Sequence, residues 1–97
     1  MATYVMLARF TDQGMKNIKK TAQRAEEFKE MAIGHGATVK EIFWTLGQYD
    51  VVVIVQAVDE MAMTALSLSL GALGNVRAQT LHAFSEAEIQ TILHKMA

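Results

Sequence analysis

Five consecutive aliphatic residues, Val51-Val52-Val53-Ile54-Val55, constrain the fold of this chain more than any other feature. The run follows a turn-like Gly47-Gln48-Tyr49-Asp50 and gives way to a polar residue only at Gln56. A strand with one face in water alternates apolar and polar residues, because successive side chains leave the pleat on opposite sides. This run does not alternate. It predicts a strand with hydrocarbon against both faces, the second face being covered by another copy of the chain.

The rest of the sequence supplies partners for that strand. Thr3 to Phe10 is rich in Tyr, Val, Leu and Phe and reads as a strand. Thr11 or Asp12 can cap a following helix to Ile33, in which Met15, Ile18, Ala22, Ala25, Phe28 and Ala32 recur at spacings of three and four. Gly34-His35-Gly36 ends it, since glycine accepts the left-handed conformation of a helix end. Thr38 to Leu46 is a second strand, joined to the central one by a turn short enough for a hairpin. Asp59-Glu60 opens a helix with acids where its dipole favours them. In its body Leu66, Leu68 and Leu70 alternate like a strand, but the Met, Ala and Leu propensities decide for helix. Gly74-Asn75 stops it, and Val76 to Phe84 reads as a fourth strand. Ser85 and Glu88 form a capping box that starts a short last helix carrying Ile89, Ile92, Leu93 and Met96.

The order strand, helix, strand, strand, helix, strand predicts an α+β, ferredoxin-like βαββαβ domain spanning residues 1–97, plus the short C-terminal helix. Both main helices then lie on one face of an antiparallel sheet. The central strand offers Val51, Val53, Val55 and Ala57 on one side and Val52, Ile54, Gln56 and Val58 on the other. The first strand sets Tyr4, Met6, Ala8 and Phe10 against Val5, Leu7 and Arg9, so whichever face the helices leave uncovered is apolar. Wetting about six such side chains forgoes roughly 10 kcal/mol, comparable to the net stability of a domain. Sheet-on-sheet pairing of two copies is the simplest cover, which predicts a dimeric α+β barrel or a higher homo-oligomer.

Composition narrows the function classes. Nine basic and ten acidic side chains give a net charge of -1, so the chain has no positive field for nucleic acid or anionic membrane. It has no cysteine, which removes thiolate catalysis, disulfides and cysteine metal sites. His35, His82 and His94 are not at metal-ligand spacing, and no phosphate loop or nucleophile elbow is present. No metal and no cofactor are expected. "MATYVMLARF" lacks the basic start and long apolar core of a signal peptide, and no 18 apolar residues run together, so the expectation is a soluble, cytoplasmic protein.

Three segments in order, "TYVMLARFTDQGMKNIK", "WTLGQYDVVVIVQAVD" and "LGNVRAQTLHAFSEAE", resemble the GYD family of small bacterial and archaeal proteins, named for a Gly, Tyr, Asp motif that stands here as Gly47-Gln48-Tyr49-Asp50. The resemblance implies a ferredoxin-like fold that oligomerises, and little chemistry. The turn, the apolar strand and Asp59 are also similar to the ligand-binding half of feast/famine transcription regulators, which take small ligands between subunits. The DNA-binding half of those regulators has no counterpart here.

Four residues are candidate ligand handles, each with a plainer structural reading. Asp50 can receive a cationic group at a subunit seam with Tyr49 as a wall, or simply fix the turn. Arg77, with Gln79 on the same strand face, can grip an anion, or pair with Asp50 or Asp59. Trp44, with Phe43 and Tyr4, can line an apolar cavity, or pack in a core or interface. His82 faces away from Arg77 and is the weak candidate for a catalytic base against a packed imidazole. The basic stripe Lys16, Lys19, Lys20 and Arg24 is read as a solvated helix face. The leading expectation is a non-enzymatic oligomer binding a small metabolite at its interfaces. The alternatives are a cofactor-independent enzyme, similar in architecture to small monooxygenases, and a purely structural oligomer.

Overall fold

The computed structural model describes residues 1–96. Its elements are β1 (Ala2–Phe10), α1 (Asp12–Lys16), a 3-10 turn (Ile18–Lys20), α2 (Thr21–Gly34), β2 (Ala37–Trp44), β3 (Val51–Ala57), α3 (Glu60–Ala72), β4 (Val76–Ala83) and α4 (Glu86–His94). The strands form one antiparallel sheet in the order β2-β3-β1-β4. This is the ferredoxin-like α+β arrangement expected from the element order.

The first helical segment departs from expectation. The apolar spacing predicts one helix to Ile33, but the chain turns at Asn17, whose φ of -107° and ψ of 23° leave the helical region. The break splits the segment into α1, which contacts β1, and α2, which contacts β2. Gly14 needs that placement, because a Cβ on it would collide with the Asn75 carbonyl oxygen. The helix stripe shifts accordingly, with Met15 exposed while Phe28 and Ala32 are buried. The α3 segment is helical, as its propensities required. Thr11, Asp59 and Ser85 each cap a helix through a side-chain oxygen, and Ser85 with Glu88 completes the capping box.

One side of the sheet faces the helices. Tyr4, Met6 and Ala8 of β1 and Val53, Val55 and Ala57 of β3 are buried there against Phe28 and Ala32 of α2 and Met63 and Leu66 of α3. The register places Val5, Leu7 and Arg9 beside Ile54, Val52, Leu81, Gln79 and Arg77 on the opposite side. None of these side chains is fully buried: Leu81 is 41% and Phe43 52% exposed, Val5, Leu7, Val52 and Ile54 are partly exposed, and α4 has no buried residue. A bulge at Lys40 re-phases β2, so that Val39, Ile42 and Trp44 join the helix side while Glu41 and Phe43 face outward.

Candidate functional site

The GYD-type turn builds two things at once. Asp50 continues the β1–β3 ladder past its last strand pair: its N–H donates to the Ala8 carbonyl at 2.8 Å, and its Oδ2 accepts the Phe10 N–H at 2.9 Å. Its carbonyl accepts the Thr45 N–H, and the Thr45 hydroxyl donates to the Tyr49 carbonyl at 2.6 Å. Asp50 therefore commits one carboxylate oxygen to backbone.

Held by that turn, Tyr49 lies along the outer side of the sheet. Its hydroxyl donates to Gln79 Oε1 at 3.2 Å, and the Arg9 guanidinium sits 5.0 Å from its ring centroid, within cation–π range. Arg9 and Arg77 are directly paired across β1 and β4. Neither has an ion-pair partner among the described residues. Like charges opposed this way repel. Tyr49 and Arg77 thus share one surface. Sequence reasoning did not single out Arg9, although it lies on the same face of β1 as Leu7 and Val5.

Trp44 is elsewhere. The Lys40 bulge turns it to the helix side, where its Nε1–H donates to Thr21 Oγ1 at 3.0 Å. It borders a cleft of about 360 Å³ together with Phe10, Phe28, Met31, Ile42 and Leu70. Phe43, grouped with Trp44 in the sequence, faces outward instead.

His82 occupies the helix side at the far end of β4. Its ring packs between Tyr4 and Phe84, with centroids 4.8 Å and 4.6 Å away, and Nδ1 lies 3.0 Å from Glu60 Oε1. A second cleft of about 340 Å³ runs beside it, bordered by Tyr4, Glu60, Ser67 and Thr80. The Tyr4 hydroxyl is buried without a partner. Burial, followed by the nearby Glu60 and Asp59 charges, pushes its pKa up. Glu60 is a histidine partner that sequence reasoning missed, because a contact between α3 and β4 leaves no spacing signal.

Among the described residues no group of three or more histidine, cysteine or acidic side chains is placed to hold a metal, and no helix is long and apolar enough to cross a membrane.

Comparison with known proteins identifies the family and agrees with the fold. The profile of the GYD domain matches residues 4–93. A protein of Thermus thermophilus named "Glutamine synthetase and cystathionine beta-lyase binding protein" is 31% identical over 90 residues, spanning 92% of this chain and 95% of that one. The crystal structure of the Thermus thermophilus protein TTHA0845 superposes with a TM-score of 0.57 at 24% identity, covering 88% of this chain and 95% of the other, and so shares its fold. The chain belongs to the GYD domain family.

Proposed function

We propose that this protein is an oligomeric binding module that pairs two copies through the open side of the sheet and presents the pair to larger protein partners. The apolar strip of Val5, Leu7, Val52, Ile54, Phe43 and Leu81 carries the reading. Covering it recovers about 25 cal/mol for each Å² removed from water, and a stable pair needs about 800 Å² per copy. Charge supports a second copy as the occupant. Glu41 stands on one edge of this side and the unpaired Arg9 and Arg77 toward the other, so a two-fold partner can set acid against base. The relative's name supports protein partners over a small metabolite, and the proposed partners are metabolic enzymes of the glutamine synthetase or cystathionine beta-lyase kind. In this reading Tyr49 and Arg77 belong to the seam, Asp50 holds the turn that aims Tyr49, and the metabolite expected at the seam becomes the lesser occupant. The protein would work in the cytoplasm, with those enzymes.

Light scattering tests the pairing: a mass of at least twice 10.7 kDa is expected, and Ile54→Lys should return it to the single-chain mass with the helices retained. A single-chain mass for the unaltered protein at micromolar concentration would overturn the reading. Immobilised glutamine synthetase and cystathionine beta-lyase from the same organism then test the partner class, and failure to retain either removes that part alone.

The His82–Glu60 pair beside its cleft favours a second reading, a cofactor-independent enzyme in which His82 moves a proton. A carboxylate on Nδ1 leaves Nε2 free for that work. His82→Ala should abolish any turnover found in a substrate screen while leaving the oligomer intact. Unchanged turnover would dismiss His82 as the base.

A further inference from the structure

The cleft between α2, α3 and the sheet is separate from the open side, and the functional reading above does not use it. Its walls are mostly hydrocarbon, including Phe10 from β1, Ile42 and Trp44 from β2, Val53 from β3, Phe28 from α2 and Leu70 from α3. Its volume of about 360 Å³ falls within the roughly 300–1,000 Å³ of small-molecule sites. One end is closed by a clasp. The Thr11 N–H donates to the Asn75 carbonyl at 3.1 Å, and the Gln13 amide donates to the Leu73 carbonyl at 3.1 Å and to Asn75 Oδ1 at 3.0 Å. Trp44 is steadied by its bond to Thr21. These side-chain bonds lie at the exposed rim of the cleft, where Trp44 is 47% exposed.

Two charged side chains reach its lining, Arg24 and Glu27. Glu27 already accepts the Gln23 amide at 3.2 Å, whereas Arg24, half-buried, has no ion-pair partner among the described residues. An unpaired guanidinium beside an apolar cleft selects a ligand with a hydrocarbon body and a carboxylate head, which its planar donors can grip with two bonds. Glu27, one turn on, disfavours a second negative charge.

We infer that this cleft binds a small apolar monocarboxylic acid, with the hydrocarbon against Phe10, Phe28, Ile42 and Trp44 and the carboxylate on Arg24. The site lies within one chain, so its occupancy does not depend on pairing through the sheet.

Trp44 is the sole tryptophan, so its emission reports occupancy directly. The probes are 4-phenylbutyrate and its uncharged counterpart 4-phenylbutanol. The acid should change Trp44 emission saturably, and the alcohol should bind at least about tenfold more weakly, as loss of a charge-assisted bond requires. Arg24→Gln should bring the acid's affinity down to that of the alcohol, with circular dichroism and melting temperature unchanged. Amide NMR shifts on adding the acid should centre on Phe28, Ile42 and Leu70. Equal affinity for acid and alcohol, undiminished binding by Arg24→Gln, no saturation by the acid at about 10 mM, or shifts centred on Val5, Ile54 and Leu81 would each overturn the assignment.

Discussion

Asp50 Oδ2 accepts the backbone N–H of Phe10, forty positions away, at 2.9 Å, and so stitches the start of β3 to the end of β1. A carboxylate accepting a backbone N–H contributes about 1.5–3 kcal/mol, and its removal strands a part-buried donor. Asp50→Ala is expected to lower the unfolding free energy by that amount in urea titrations, and to loosen Tyr49 over Gln79. An unchanged urea midpoint would show that the bond contributes nothing.

Glycines separate close approach from flexibility. Gly14→Ala drives a Cβ into the Asn75 carbonyl and should cost about 2 kcal/mol or more, because backbone on both sides must move. Gly71→Ala, inside α3 with open space around it, should stabilise the protein by roughly 0.5–1 kcal/mol through helix propensity. Thermal unfolding of the two variants checks the opposite signs.

Tyr4→Phe removes a buried hydroxyl that has no partner, and is expected to raise stability by about 1 kcal/mol. The raised pKa of Tyr4 adds a pH signature. Its neutral form is favoured in the fold, so this contribution is complete below the ordinary value of 10.0 and is lost as pH rises through the higher folded pKa. Denaturation curves above pH 10 should fall more steeply for the native protein than for Tyr4→Phe.

Glu88 is held below its ordinary value of 4.5 by the Ser85 N–H and hydroxyl of the capping box, with a smaller push from His82. A lowered carboxylate pKa supplies stability above the unfolded value that is lost as pH falls through the folded one. The α4 helix should fray below pH 4.5, read as rising amide exchange from Glu86 to His94. In Glu88→Gln that dependence should vanish.

Much of this architecture was legible because it rests on local chemistry. The caps at Thr11 and Ser85, the acids at Asp59 and Glu60, the glycine stops, and the non-alternating β3 all act within a few residues of themselves. The helix break at Asn17 was not legible, since the apolar stripe from Met15 to Ala32 runs on through it, and the close approach of Gly14 to Asn75 is a long-range contact. The facing of Trp44 was hidden by the Lys40 bulge, which reverses the alternation of β2 without any glycine to announce it. The same bulge separates Trp44 from Tyr49 and Arg77, residues the sequence had grouped. Arg24 passed as a solvated cation because only the packed helices reveal the cleft beside it.

The sheet order carries a consequence for biosynthesis. β1 sits between β3 and β4, so the first strand of this sheet cannot complete its hydrogen bonds until the fourth has emerged. Until then Val5 and Leu7 travel beside an unfinished edge, and long-range pairing of this kind is slow and prone to clumping. Nascent chains stalled before Val76 should therefore engage ribosome-associated chaperones, and release of the fourth strand should end that dependence.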